Sequence, residues 1–412
     1  MKYFLAQDVV LKWLEKPSVY HMKNDDLYEL DDDSFNFLKN CSSNSGCNAE
    51  HNEFIDYCLK EGILTNDKVL VNRPPLIKSF EPSLRYLELQ ITNRCNLKCK
   101  HCYIGERKNK SKKNVKAEKN NPPLPPFSKG GEGGLLDKNL AELSVKQIKN
   151  ILHEFEAMQG LRVLITGGEP LLHSKFVEIN EMFPQFFIRK VLFSNGLLLK
   201  KELLKNLHVD EIQISIDGLE DAHNSLRGSG TFRLAMKAVK LSIDSGFEVS
   251  IATMVHPKNL YDFDKMEKLF KEMGIKEWTV DVPCITGRLT ENSEFHISPE
   301  KGGNYLKYGY GGLHSGASGF ACGLHLMAVM ADGKVSKCSF YSDSAVGKIE
   351  DGLKKCWKKI KPITLDELTC DCNYIETCRG GCRYRAELLG NPLGKDFYKC
   401  VFYDIINITI KH

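Results

Sequence analysis

Short apolar runs alternate with longer amphipathic stretches along the chain from Tyr86 onward. Six runs rich in β-branched and aromatic residues are predicted to be strands: Tyr86–Ile91, Val163–Thr166, Lys190–Ser194, Glu211–Ile216, Glu248–Val255 and Glu277–Val282. Between them, apolar residues at helical spacing predict four helices: Ser144–Met158, Ser174–Phe183, Phe232–Ser245 and Asp262–Met273. Such alternation is typical of a parallel sheet, open or closed into a barrel. Six units are too few for the eight-fold barrel, so the pattern predicts an α/β fold with a partial (β/α)6 barrel.

Residues 1–80 follow a different pattern. Val19–Met22 and Asp26–Leu30 alternate enough to be short strands around a turn. Two amphipathic helices are predicted after them, over Asp31–Cys41 and Ala49–Leu64, and the Asn72–Pro75 segment breaks the chain as a linker. This stretch is therefore predicted to be a small α+β module of its own.

Residues 106–140 interrupt the barrel pattern. This segment is rich first in Lys and Asn, then in Pro and then in Gly, so it cannot bury an apolar core and is predicted to be disordered. It resembles the in-frame repeat insertions found in some bacterial genomes, and we expect no role for it in catalysis.

Charge and composition narrow the possible functions. The chain has 412 residues and a formal charge of +4, but outside residues 106–140 it holds 48 basic and 49 acidic residues. The basic excess is therefore local, and no nucleic-acid partner is predicted. No apolar run is long enough to span a bilayer, so we expect a cytoplasmic protein without a membrane partner. In a reducing compartment, clustered cysteines among the 15 present indicate metal or redox chemistry.

Three cysteines follow the first predicted strand within "TNRCNLKCKHCY": Cys95, Cys99 and Cys102. Loops after the carboxyl ends of strands hold the active site in α/β sheets. Three thiolates can hold three corners of a [4Fe–4S] cluster, which usually takes four cysteines, and leave one iron free. The alternative is a zinc site, although structural zinc usually takes four protein ligands.

The Cys-x3-Cys-x2-Cys spacing resembles the radical S-adenosylmethionine (SAM) enzymes. In that family the free iron binds the amino and carboxylate groups of SAM, whose cleavage gives methionine and a 5′-deoxyadenosyl radical that abstracts hydrogen. Motifs similar to those of the family end the next three predicted strands, and a further one follows: "TGGEP" (Thr166–Pro170), "SNG" (Ser194–Gly196), "ISIDG" (Ile214–Gly218) and "HNSLRGSGTF" (His223–Phe232). The resemblance implies a TIM-like barrel over residues 84–290.

The resemblance also implies which residues bind SAM. The candidates are Gly167, Gly168, Glu169, Pro170, Ser194, Asn195, Ser215, Asp217 and Arg227. Glycines let the backbone approach a ligand, and Glu169 can accept from the SAM ammonium. Ser215 is expected to contact SAM and Arg227 to pair with its carboxylate. For Asn195 and Asp217, a structural role in a turn is the alternative.

Seven of the eight cysteines within residues 300–412 form a pattern that resembles the SPASM extension of radical SAM peptide-modifying enzymes. The resemblance implies two auxiliary clusters, expected to be [4Fe–4S]. Their ligands would be Cys322, Cys338 and Cys382 for the first cluster, and Cys370, Cys372, Cys378 and Cys400 for the second. The spacing between Cys370 and Cys372 is one residue shorter than the family's pattern. A zinc module is disfavoured because seven thiolates do not divide into two tetrahedral sites.

The fourth ligand of the first auxiliary cluster remains open in the sequence. The cluster either keeps a free iron or takes a ligand such as His314 or Cys284. A free iron could bind a substrate thiol, as in relatives that form thioethers. Asp281, at the end of the sixth strand, is a candidate catalytic proton acceptor or simply a loop cap.

Residues 1–80 resemble the PqqD-like, winged-helix-like module that binds the leader of a precursor peptide, with an ordinary cap on the barrel as the alternative. The chain is thus expected to be a radical SAM enzyme that oxidatively cross-links a ribosomally made peptide, by a thioether or carbon–carbon bond. A flavodoxin or ferredoxin is the expected electron donor. The alternatives are a sulfatase-type maturase, a tetrapyrrole-modifying enzyme and a non-catalytic peptide- or iron–sulfur-binding protein.

Overall fold

The computed structural model describes residues 1–104, 141–311 and 319–405. The predicted insertion at 106–140 and His314 lie outside the described residues. The strands are β1 Lys2–Leu5, β2 Val9–Trp13, β3 Pro17–His21, β4 Asp26–Glu29, β5 Cys47–Asn48, β6 Leu64–Thr65, β7 Tyr86–Thr92, β8 Arg162–Gly167, β9 Arg189–Ser194, β10 Glu211–Ser215, β11 Glu248–Met254, β12 Glu277–Asp281, β13 Leu326–Val329, β14 Lys334–Ser336 and β15 Gly347–Lys348. The helices are α1 Asp32–Cys41, α2 Glu53–Lys60, α3 Val145–Ala157, α4 Phe176–Met182, α5 Lys201–Leu204, α6 Glu220–Arg227, α7 Thr231–Asp244, α8 Phe263–Glu272, α9 Pro299–Gly302, α10 Leu353–Lys359, α11 Ile375–Cys378, α12 Arg383–Leu388 and α13 Phe397–Phe402. In the described part of the chain, no helix has the length and apolar character that crossing a membrane requires.

Strands β7 to β12 form the parallel sheet of a partial barrel, and each is the neighbour of the next in chain order. All six predicted barrel strands and all four predicted helices are present, with ends within two residues of the prediction. Leu87, Leu89 and Ile91 of β7 point into the main apolar core. Because side chains alternate along a strand, Glu88 and Gln90 face the opposite side, the inside of the barrel.

Residues 1–65 form a separate small core beneath two three-stranded sheets, β2-β3-β4 and β5-β1-β6. The predicted hairpin of β3 and β4 is confirmed. Helix α2 is shorter than the predicted Ala49–Leu64, because Asn52 caps its first turn by accepting from the backbone N–H of Ile55. The pattern of the sequence did not predict β1 and β2.

The N-terminal module packs against the start of the barrel strands. The buried Lys12 ammonium donates to the backbone carbonyls of Gly160 (2.7 Å) and Phe187 (3.3 Å). The Arg189 guanidinium donates to the carbonyls of Met22 (2.8 Å) and Lys23 (2.7 Å). The module is therefore tied to the end of the barrel opposite the carboxyl ends of the strands.

The cysteine-rich C-terminal part is continuous with the barrel sheet. Strand β13 pairs in parallel with β7, and β14 and β15 extend the same sheet in antiparallel fashion. The sequence pattern predicted none of these three strands. This pairing places Cys338, just after β14, next to the barrel.

Candidate active site

The three-cysteine loop leaves the carboxyl end of β7. The backbone N–H of Leu97 donates to the Cys95 sulfur at 3.4 Å, and the Cys99 side chain is buried. Burial raises the pKa of the Cys99 thiol, while the nearby Arg227 guanidinium lowers it. The flanking cations Arg94 and Lys100 instead pair with carboxylates, of Glu142 at 3.2 Å and Glu294 at 3.4 Å. Among the described cations, Arg227 is thus the one that most lowers the pKa of the Cys99 thiol.

The two glycines of "TGGEP" let the end of β8 approach the backbone of this loop. A Cβ on Gly167 would lie 2.3 Å from the Thr92 carbonyl oxygen, and a Cβ on Gly168 would lie 2.3 Å from that of Arg94. The approach is held by backbone hydrogen bonds from Gly168 to Thr92 (2.9 Å) and from Glu169 to Arg94 (2.7 Å). Pro170 is buried and starts a short 3-10 helix. The predicted SAM motif and the three-cysteine loop therefore share one packed unit.

Glu169 lies fully buried between β8 and the "SNG" turn. Its carboxylate accepts from the Ser194 hydroxyl (3.0 Å) and from the backbone N–H of Asn195 (2.8 Å). Burial raises the pKa of Glu169 to about 7. The amide nitrogen of Asn195 donates to the side-chain oxygen of Asn96 in the three-cysteine loop at 2.8 Å.

Asp217 and Arg227 form a buried ion pair behind the loop. Asp217 also accepts from the backbone N–H of Met254 at 2.7 Å. Although burial opposes ionisation, Arg227 and the surrounding donors hold the pKa of Asp217 well below its usual range. Arg227 also contacts His101 of the loop at 3.4 Å, and burial lowers the pKa of that imidazole to about 3. Ser215 ends β10 and is half-buried.

The cysteines predicted for the second auxiliary cluster line one cavity of about 330 Å³, part of it open to solvent. The members are Cys370, Cys372, Cys378 and Cys400, with Asp371, Lys395 and Asp396 beside them. The shortened spacing between the first two does not prevent them from sharing this cavity. An all-cysteine set of four around one hollow fits the donor chemistry of an iron–sulfur cluster.

The cysteines predicted for the first auxiliary cluster also converge. Cys338 interacts electrostatically with both Cys382 and Cys322. The thiol of Cys284 is buried and interacts with that of Cys382. Within the described residues, no three cysteine, histidine or acidic side chains are grouped as tightly as one metal ion requires. The soft thiolate donors of this group fit an iron–sulfur cluster, which is held at separate irons.

Asp281 is half-exposed, and its carboxylate accepts from Arg385 at 2.9 Å. Arg385 is almost fully buried and also donates to Asp396 at 2.9 Å and 3.1 Å. This arrangement joins the end of β12 to the cysteine-rich part. A structural role for Asp281 therefore accompanies its predicted role as proton acceptor.

Sequence reasoning missed a group of side chains between the three-cysteine loop and Cys338. Glu88 faces the inside of the barrel and accepts from the backbone N–H of Ser339 at 2.7 Å, and burial raises its pKa. The Tyr103 ring lies 5.0 Å from that of Phe340. Glu88 is the charged residue of β7, and this charge in a strand was the available signal. These side chains lie between the predicted positions of the catalytic cluster and the first auxiliary cluster.

Comparisons with known proteins agree with this geometry. Residues 89–270 match the model of the Radical SAM superfamily, so the chain contains a radical SAM domain. Mycofactocin maturase MftC of Mycobacterium tuberculosis is 24% identical over 379 residues, which cover 80% of this chain and 86% of the relative. An AdoMet-dependent heme synthase of Oleidesulfovibrio alaskensis is 26% identical over 245 residues, covering 58% of this chain and 56% of that enzyme. The chain thus spans little more than half the length of this relative.

Among solved structures, Streptococcus suis SuiB bound to S-adenosylmethionine shares the fold. The TM-score is 0.62 at 14% identity, with 95% of this chain and 98% of SuiB covered. A second SuiB structure contains the precursor peptide SuiA. The family match supports an enzyme role with SAM and a [4Fe–4S] cluster, and the likeness to SuiB confirms the predicted fold.

Proposed function

We propose that this chain is a radical SAM peptide maturase that oxidatively cross-links a ribosomally made precursor peptide, by a thioether or carbon–carbon bond. The proposal rests on how much of the chain resembles known peptide-modifying proteins. The mycofactocin maturase matches 80% of this chain, and the SuiB fold, known with a bound precursor peptide, covers 95%. The heme synthase match covers 58%.

The proposal divides the chain into three parts: residues 1–80 for leader recognition, 84–290 for the radical SAM core and 300–412 for the auxiliary clusters. The separate core of residues 3–64 and its fixed attachment to the barrel support the first division. The edge strand β4 and the helices of this module offer the kind of surface on which a peptide docks as an added strand or in a groove.

Cys95, Cys99 and Cys102 would hold the catalytic [4Fe–4S] cluster, which with SAM supplies a radical able to abstract hydrogen from an unactivated carbon. Glu169 would accept from the SAM ammonium, since a carboxylate has about four acceptor sites and this one accepts two bonds of 3.0 Å or less from the chain. Gly167, Gly168 and Pro170 would hold Glu169 in place, and Ser194 and Asn195 would orient it. Ser215 would contact SAM. Asp217 and Arg227 would hold the loop, and Arg227 would orient the SAM carboxylate.

Two carboxyl groups are candidates for taking the substrate proton, Asp281 and Glu88. Asp281 is held by Arg385, whereas Glu88 faces the barrel interior and accepts only neutral donors in the described part of the chain. The auxiliary clusters would accept the electron that the substrate radical releases, and a flavodoxin or ferredoxin would supply the electron with which the catalytic [4Fe–4S] cluster cleaves SAM.

The test is an anaerobic reaction of the reconstituted full chain with SAM, reductant and each short peptide encoded beside its gene. We expect 5′-deoxyadenosine and a peptide that has lost two hydrogen atoms, both detected by mass spectrometry. Removing the leader half of the peptide should abolish its modification. The Cys99→Ala variant should form neither product.

A tetrapyrrole-modifying enzyme is the second candidate, because the heme synthase is among the relatives in sequence. Copurification of a coloured tetrapyrrole, together with its SAM-dependent conversion and no change in any neighbouring peptide, would favour this candidate and overturn the first.

A further inference from the structure

The loop after β12 carries a buried cysteine that the SPASM resemblance does not assign. Cys284 lies three residues beyond the end of β12, and its side chain is 7% exposed. Its thiol interacts with that of Cys382, which the C-terminal region supplies. The fold therefore brings a thiol from the barrel into contact with one from the cysteine-rich part.

The position of Cys284 is fixed by a buried arginine. Arg385 donates to the Asp281 carboxylate (2.9 Å) and to the Val282 carbonyl (3.3 Å), which lie just before Cys284. It also donates to Asp396, whose carboxylate accepts from the backbone N–H of Cys382 at 2.8 Å. The backbone beside each thiol is thus attached to the same Arg385–Asp396 pair, so their proximity is built into the fold.

Cys382 also lies within the electrostatic reach of Cys322 and Cys338. The buried Cys356 differs, because its thiol donates to the Lys348 carbonyl at 3.5 Å and lies outside this group. Four thiols, and not three, therefore converge at the first auxiliary position. A [4Fe–4S] cluster usually takes four cysteine ligands.

We infer that Cys284 is the fourth ligand of the first auxiliary cluster, and that this cluster has no free iron for a substrate thiol. The inference deepens the proposed function and rests on it for the presence of the cluster. The sequence leaves open whether this cluster keeps a free iron or takes a fourth protein ligand, and the inference selects the fourth ligand. Any thioether formed by this enzyme then forms without binding of the substrate sulfur at this cluster.

The test uses ¹³C-cyanide as a probe for a free iron. The full chain carries Cys95→Ala, Cys99→Ala and Cys102→Ala, so that the catalytic cluster with its own free iron is absent. After anaerobic reconstitution with ⁵⁷Fe and reduction, Mössbauer spectra count the clusters and electron–nuclear double resonance detects ¹³C bound to iron. We expect no ¹³C coupling when Cys284 is present.

Adding Cys284→Ala to this background should give a ¹³C-coupled cluster or the loss of one cluster's iron. Adding Cys356→Ala, an equally buried cysteine away from the group, should change neither quantity. Coupling in the parent with Cys284 intact would overturn the inference, and that measurement needs no further variant to fold. Two intact clusters without coupling in Cys284→Ala would overturn it as well. Because this background cannot cleave SAM, failure of the peptide assay leaves the result unaffected.

Discussion

At the residue scale, two buried carboxylates near the three-cysteine loop have opposite surroundings. Asp217 is paired with Arg227, so its charge is already compensated by the chain. Glu169 accepts short hydrogen bonds from neutral groups, Ser194 and the backbone of Asn195, and burial raises its pKa to about 7. Glu169 is therefore the carboxylate whose charge a bound ligand cation would compensate.

The Glu169→Gln variant tests this assignment. A charge-assisted hydrogen bond is worth about 1.5–3 kcal/mol, so SAM should bind about 10- to 100-fold more weakly. The measurement is the dissociation constant of SAM from calorimetry on the reconstituted enzyme. Glu178→Gln changes an exposed acid of α4 and is the control, which should bind SAM normally. An unchanged SAM affinity in Glu169→Gln would remove Glu169 from the SAM site.

The raised pKa of Glu169 predicts a pH dependence of SAM binding. Only the ionised carboxylate attracts the ammonium, and ionisation becomes incomplete as the pH falls through about 7. Between pH 8 and pH 6 the ionised fraction of a group with this pKa falls about tenfold. The affinity for SAM should therefore fall about tenfold through this group. The comparison is with Glu169→Gln, because titration of SAM itself affects both proteins equally. Parallel pH profiles for the two would contradict the prediction.

The pair of Asp217 and Arg227 predicts a loss of stability. Arg227→Met leaves a buried carboxylate unpaired, which costs about 3–5 kcal/mol of unfolding free energy. Arg233→Met removes a largely exposed ion pair with Glu220 and should cost less than about 1 kcal/mol. Chemical denaturation of the chain measures both. If Arg227→Met loses SAM affinity at unchanged stability, Arg227 serves the SAM carboxylate and not the fold.

At the scale of elements, the close approach of the β8 end to the three-cysteine loop requires Gly168. In Gly168→Ala the new Cβ would meet the Arg94 carbonyl, so the loop must shift. We expect loss of SAM cleavage and of the SAM-dependent change in the electron paramagnetic resonance spectrum, with the auxiliary clusters retained. Gly309→Ala is the matched control, since its Cβ would meet nothing nearer than 3.3 Å. Normal SAM cleavage by Gly168→Ala would show that the loop tolerates the shift.

The pattern of the sequence predicts elements whose signal is local. The barrel strands were predicted because each is a short apolar run followed by an amphipathic helix, and α3 because its apolar residues recur at helical spacing. In the structure, Ser144 and Gln147 form a capping box at the start of α3. Strand β13 was not predicted because its four residues form a strand by pairing with β7, which is far away in the chain. Helix α6 escaped because it carries few apolar residues to mark a buried face.

In the candidate site, likewise, local features could be predicted from the sequence and long-range contacts could not. Motif spacing suggested the cysteine sets and the SAM-binding residues, since these features lie within short stretches. The contacts of Cys284 with Cys382, of Asp281 with Arg385 and of Glu88 with Ser339 join segments far apart in sequence. No spacing rule reports such contacts, because they depend on where the completed barrel places its strand ends.

At the scale of the whole molecule, the N-terminal module is attached to the barrel through buried charges. Asp25, in the turn after β3, pairs with Arg162 at the start of β8, and its carboxylate lies 3.9 Å from Arg189 at the start of β9. Arg189 in turn pairs with Glu211 at 2.8 Å. The module therefore adds a carboxylate to a charge network in which Arg189 also pairs with Glu211 and Glu248, and Arg162 lies 4.0 Å from Glu277.

Asp25→Asn removes this charge and keeps the backbone, because Asn tolerates the positive φ of 65° found at Asp25. Since the buried Arg162 then loses its close charged partner and keeps Glu277 at 4.0 Å, the full chain should lose about 3–5 kcal/mol of unfolding free energy. Hydrogen exchange should show the loss first in β3, β4 and the starts of β8 and β9, with the sheet around β11 protected. Asp26→Asn, at the neighbouring exposed position, should leave exchange unchanged. If Asp25→Asn behaves like that control, the module is held to the barrel by its apolar contacts and by the hydrogen bonds of Lys12 and Arg189.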